Sequence, residues 1–297
     1  GSGDDLAPKI SANSQKLVYL QQQAIGQVWI TGLEGSSAHP ISLPARRRWT
    51  PSLSPDGNQV AFAMGTGTSS GQHIYVVNRD GGSPRQISFG KELVGAPRWS
   101  PDGKWIAYTS RQTTEPPDSN KVYLLEAANP GKPKLIAKGS PSRWLDSERL
   151  MAFTLTDSWI VYTDGRNLKR FFQDSTFAIP ILKEKYIFYQ DLRPDRAGGW
   201  IVPAENSKLP AGQIPKKIIS PGYPGALGPD GSFYLYVKND GELWKINLPE
   251  GKEERLPGTY PGLALRSSLS VSYEGKEVVY IDGRTTGKLV MIENLFK

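Results

Sequence analysis

Apolar residues recur along this chain in short runs of four to six, cut at regular intervals by Pro, Asp and Gly. Such runs are too short for helices and have the length of strands. Two stretches nearly superimpose, PSLSPDGNQVAFAMG from Pro51 and PRWSPDGKWIAYTS from Pro97. Each leads into a second run, HIYVVNRDGG from His73 and KVYLLEAANPG from Lys121, and then into a short third run. In Ser54-Pro55-Asp56-Gly57 and Ser100-Pro101-Asp102-Gly103, Pro presets φ, Asp can bond its own backbone and Gly accepts a positive φ, so each is a tight turn between strands. Runs such as Val60-Ala61-Phe62 and Ile106-Ala107-Tyr108 are apolar at consecutive positions, the pattern of a strand covered on both faces.

Weaker copies start near Pro8, Ser142, Phe177, Gly225 and Ser268. The aromatic of the second strand marks each copy: Tyr19, Phe62, Tyr108, Phe153, Tyr189, Tyr236 and Tyr280, at intervals of 43, 46, 45, 36, 47 and 44. A four-stranded antiparallel sheet of about 44 residues cannot bury both faces alone, and stacking several around an axis covers each face with a neighbour. The pattern therefore predicts an all-β fold, a β-propeller of four-stranded blades, with seven blades and six as the alternative. Asp4–Pro8 is expected to add the outer strand that latches the ring. Gly1-Ser2-Gly3 reads as a cloning remnant, and residues 4–297 as one domain cut from a longer chain.

WSPDGKWIAYTS at Trp99–Ser110 and LSPDGNQVAFA at Leu53–Ala63 resemble the repeat of TolB-type, WD-like bacterial β-propellers. The resemblance implies the fold. It leaves function open, because the family spans periplasmic proteins, lid domains of prolyl peptidases and sensor domains fused to kinases or transcription regulators.

Composition narrows the chemistry. The chain of 297 residues has no cysteine and two histidines, His39 and His73, so disulfides, thiol nucleophiles, Cys-ligated metals and a three-His site are excluded. Neither histidine stands beside a nucleophilic serine, and no phosphate-binding glycine motif occurs. No metal or cofactor is expected. Gly 31 and Pro 24 together make about 19% of the chain against a usual ~12%, as frequent turns require. The net charge of +7 comes from scattered basic residues rather than a stripe, which argues against nucleic acid. No apolar run is long enough to span a membrane.

By analogy with other propellers, the loops entering the innermost strands and those following the second strands share one face around the channel. The candidate binding residues there are Arg46, Arg47, Arg48 and Trp49, where three guanidiniums invite an anionic partner. Arg98 and Arg143 join them, each before a Trp and facing either the channel or the blade interface. Tyr223 and Tyr260 complete the set on Pro-Gly-rich loops, as contact platforms or plugs of the channel mouth. The reading is a non-catalytic, monomeric, extracytoplasmic interaction or sensor module that binds a protein segment or small anion. The alternative is a propeller enzyme using channel carboxylates on a glycan or peptide.

Overall fold

The computed structural model describes residues 4–10, 16–42, 45–46, 48–65, 72–166, 168–173, 177–191, 197–204, 216–219, 225–239, 241–264, 267–282 and 285–293. Blade one comprises Arg48–Leu53, Gln59–Gly65, Gln72–Asn78 and Gly81–Gln86. Blade two comprises Leu93–Trp99, Trp105–Arg111, Lys121–Glu126 and Lys134–Lys138. Blade three is Ser140–Trp144, Arg149–Phe153, Asp157–Tyr162 and Leu168–Gln173, and blade four Phe177–Ile181, Tyr186–Asp191, Gly198–Pro203 and Lys216–Ile219. Blade five is Gly225–Leu227, Phe233–Asn239, Glu242–Asn247 and Lys252–Arg255. Blade six is assembled from both ends of the chain: Leu269–Val271 and Glu277–Ile281 supply its inner strands, Val28–Gly32 and His39–Pro40 its outer ones.

The ring therefore has six blades, and the expectation of seven is corrected. The reason lies in the first and seventh copies. In every other copy the second strand reverses into the third. Here Lys16–Gly26 and Val28–Gly32 run on almost without a break, as do Glu277–Ile281 and Thr285–Glu293, and the two long segments pair with each other. The ladder keeps one register throughout, from Lys16 opposite Glu293 to Gly32 opposite Glu277. One half of this ribbon is the middle of blade six, and the other half forms a sheet beyond it. The ring is thus latched by Val28–Gly32 and His39–Pro40. Asp4–Pro8, expected as the latch, lies instead in the strand Asp4–Ile10, which pairs with Lys16–Gly26 in the outer sheet.

The blade interfaces hold the core. Ile74, Val76 and Ala61 of blade one pack against Ile106, Tyr108 and Leu125 of blade two. Leu150, Ala152 and Val161 of blade three meet Val122 and Leu124 of blade two. Met151 and Ile160 meet Ile179 of blade four, and Ile181 and Phe188 meet Tyr234 and Tyr236 of blade five. Leu235 and Val237 face Val278 and Tyr280 of blade six. The ring closes where Val28, Ile30 and Val279 pack on Val60, Phe62 and Val77 of blade one. Burying both faces of each central strand is what the continuous apolar runs require.

Candidate functional site

The innermost strand of each blade runs from the entry loops to the Ser-Pro-Asp-Gly-type turn, and six such strands surround the axis. They enclose a cavity of about 340 Å³. Its lining extends from Thr50, Phe177 and Ser268 near the entry loops to Pro229 and Tyr273 at the turns, with contributions from all six blades. The described lining contains apolar, hydroxyl, amide and guanidinium groups and no Asp, Glu or His.

Arg98 and Arg143 are the penultimate residues of their inner strands, so they sit at the turn end of the channel, away from the entry loops. Both line the cavity. The ladder shifts register just before each, between Gly95 and Arg98 and between Pro141 and Arg143, and Ala96 takes the left-handed conformation at φ 48°. Extra residues of this kind re-aim the side chains that follow.

Hydrogen bonds then tie the blades across the channel. Arg98 Nε donates to the Ser142 carbonyl of blade three at 2.8 Å, its Nη1 to Pro97 O at 2.8 Å, and Trp144 Nε1 returns a bond to Arg98 O at 3.0 Å. Arg143 reaches past blade four to blade five, where Nη1 donates to Gly228 O at 3.0 Å and Nη2 to Pro229 O. From blade six, the Tyr273 hydroxyl crosses to donate to Trp99 O in blade two. These two chords span the channel at its turn end.

Both guanidiniums are held by neutral carbonyls. Burial lowers the pKa of Arg98 to about 10, with the Tyr273 hydroxyl acting weakly the other way. Burial lowers that of Arg143 as well, opposed by the charge of Asp230. Burial raises the Tyr273 pKa, against the pull of the two arginines, so it remains a neutral donor. Trp99 Nε1, in the core between blades one and two, and Ser142 Oγ of blade three are buried with no hydrogen-bond partner among the described residues.

Tyr260, the other candidate whose side chain is described, does not line this cavity. Arg47 and Tyr223 lie outside the described residues, and Arg46, Arg48 and Trp49 are placed by backbone alone: Arg46 opposite Ile25, Arg48 opposite Met64, Trp49 opposite Ala63. Tyr260 is in the core, 2% exposed, packed with Leu263, Leu269 and Tyr280. Its hydroxyl lies 2.7 Å from Leu33 O and 3.0 Å from Pro257 O, and burial raises its pKa to about 12. It anchors blade five to blade six rather than standing as a platform. His39 is exposed, with Nδ1 2.7 Å from Ser37 O. His73 is buried, and burial lowers its pKa despite the charge of Glu92. Among the described residues no three His, Asp or Glu side chains group as metal ligands, and no helix is long and apolar enough to cross a membrane.

Sequence reasoning missed Tyr273, Trp99 and Ser142. Tyr273 had a readable signal, since it stands where the equivalent turns carry Pro55, Pro101 and Pro229.

Six four-stranded blades around a lined channel, with the ring closed by strands from both chain ends, define a β-propeller. The TolB beta propeller domain model matches residues 4–153, and the chain belongs to that family. Among solved structures, putative TolB from Agrobacterium tumefaciens is similar at 16% identity and a TM-score of 0.64, covering 87% of this chain and 98% of that one. TolB from Acinetobacter baumannii gives 16% and 0.59, over 79% of this chain and 64% of that one. A Mycobacterium tuberculosis puromycin-hydrolyzing peptidase gives 15% and 0.52, over 90% of this chain and 47% of that one. At these identities the likeness is one of fold. A comparison with curated proteins by sequence found no match.

Proposed function

We propose that this chain is a non-catalytic binding module, whose ligand, a protein segment or small anion, enters the central channel from the entry-loop face. The observation that carries this reading is the channel itself. It is a cavity of about 340 Å³ lined by every blade, spanned at the turn end by Arg143 and Tyr273, and rich in donors. A cavity of that size suits a small ligand or a few residues of peptide. The enzymatic alternative needs two facing carboxylates near the axis, and the described lining supplies none. The reading extends to an extracytoplasmic module of a larger bacterial protein, supported by membership of the TolB β-propeller family.

The test is a selection of random hexapeptides on the immobilised chain, repeated on Ser270→Trp, which fills the channel from blade six. Selected peptides are expected to bind with micromolar affinity and to lose that binding in the variant. Peptides that bind both proteins equally, or turnover of a glycan or peptide panel, would refute the reading.

A further inference from the structure

Resting on that channel reading, we infer that the channel is blind. It takes a peptide by one free end rather than as a segment running through, and Tyr273 is the stopper that sets this specificity.

The two chords at the turn end form the floor. Arg143 joins blade three to blade five, passing over blade four, and Tyr273 joins blade six to blade two, passing over blade one. In a ring of six these chords lie side by side, one on each side of the axis. Little room is left between them, because Arg143 and Arg98 both act on the titration of the Tyr273 hydroxyl, an influence that requires them to be close. Each chord ends on backbone carbonyls, those of Trp99, Gly228 and Pro229, so the floor is fastened to the frame of the ring.

The closing seam shows that Tyr273 has been diverted to this use. Elsewhere the turns of adjacent blades pack on one another. A Cβ on Gly103 of blade two would lie 3.4 Å from Pro55 of blade one, and one on Gly275 of blade six would lie 3.4 Å from Pro229 of blade five. A Cβ on Gly231 of blade five would meet Ile181 of blade four. At the seam from blade six to blade one the corresponding contact is missing, and Gly57 faces only Arg79 of its own blade. A hollow of about 370 Å³ lies there, between Pro55, Asp56 and Arg79 on one side and Glu274 and Glu277 on the other. Tyr273 occupies the proline position of this turn and borders both the hollow and the channel. Its hydroxyl crosses the channel to blade two, so the seam loses packing contacts and the channel gains a floor.

A floor decides what can enter. A chain arriving from the entry-loop face must end within the channel or turn back. A cavity of about 340 Å³ has room for a few residues but not for both legs of a reversed chain. An internal segment is thereby excluded, and a free chain end fits.

The probes are the hexapeptides selected on the channel, each remade with a run of serines at its N-terminus, at its C-terminus or at both. They are titrated into the intact chain by calorimetry. An extension at one end is expected to leave Kd nearly unchanged, and an extension at the other to weaken binding at least ~100-fold. The sensitive end identifies which terminus goes in. Tyr273→Pro restores the residue of the equivalent turns and withdraws the stopper, so it should recover about tenfold of that loss, Arg143 remaining in place. Tyr273→Phe keeps the ring and should discriminate as the unmodified chain does. Variants are compared only where circular dichroism and gel filtration match that chain, and Tyr273→Ser serves if Tyr273→Pro misfolds. Tolerance of both extensions, or of neither, would overturn the blind channel. A sensitive end excluded as strongly from Tyr273→Pro or Tyr273→Ser would overturn the role of Tyr273. A selection that yields no peptide, or only peptides that ignore Ser270→Trp, sinks the channel reading beneath both.

Discussion

In the turn from Ser54 to Gln59, the Ser54 hydroxyl donates to Asp56 Oδ1 at 2.5 Å and accepts from Gln59 N at 2.9 Å, while Asn58 N donates to Asp56 Oδ1 at 3.1 Å. Blade two repeats the set with Ser100, Asp102, Lys104 and Trp105. Gly57 and Gly231 close their turns at φ 73° and 74°, a conformation costly for any residue with a Cβ. A Cβ on Gly57 would meet only Arg79 Nη1 at 3.5 Å, whereas one on Gly231 would lie 2.5 Å from Ile181 Cβ. Gly57→Ala should therefore cost about 1 kcal/mol through the backbone alone. Gly231→Ala should cost about 2–3 kcal/mol because packing adds to strain, and urea denaturation compares the two.

The same turns set an acid sensitivity. The Ser54 hydroxyl, then the Asn58 amide, holds Asp56 below its ordinary value of 3.8 against burial. For Asp102, burial pushes upward, and the bonds from Ser100 and Lys104 outweigh it. A carboxylate with a depressed folded pKa contributes stability that is complete above the unfolded value and lost as pH falls through the folded one. The melting temperature should fall as the pH drops below about 4, through the depressed folded-state values. Asp56→Asn/Asp102→Asn keeps an acceptor without the titration, so its melting curve should depend less on pH over that window.

At the scale of elements, the aromatic marker of the second strand pairs across to the third: Phe62 with Tyr75, Tyr108 with Tyr123, Tyr189 with Trp200 and Tyr236 with Trp244. Blade six reproduces this with residues from opposite ends of the chain. Tyr280 lies opposite Trp29, with ring centroids 6.4 Å apart and planes 12° from parallel. Blade six is also tied to blade one by Arg79 Nη2, 2.6 Å from Glu277 Oε1, with both side chains about a third exposed. Removing the fully buried Tyr280 ring should cost about 3–5 kcal/mol. Arg79→Ala should cost about 1 kcal/mol or less and become neutral in high salt. Equal losses from the two in equilibrium unfolding would mean that the ion pair, not the apolar interface, closes the ring.

At the scale of the whole molecule, the six-fold arrangement turns the second-last position of each inner strand into a ring at the channel's turn end. Blades two and three put Arg98 and Arg143 there, and blade six adds Tyr273 from its turn. The binding test above belongs to this scale, because no blade forms the cavity alone. Local interactions were legible: the Ser-Pro-Asp-Gly turns, the aromatic markers and the two-faced strands are written within ten residues of each other. The channel role of Arg98 was half legible, since Arg-Trp before a turn fits either a channel or an interface. Tyr273 shows only as a departure from the repeat, and the unpartnered Trp99 and Ser142 donors show nowhere in the sequence.

The sequence by itself determined the blade, because turn chemistry and strand burial depend on neighbours close along the chain. Only the tertiary structure decided how many blades close the ring. That choice is made between the first and last copies, whose second and third strands pair with each other instead of each within its own copy. Their partition is settled by long-range pairing that no local pattern encodes. The same holds for the channel wall, which exists only once residues some 45 positions apart are brought round a common axis.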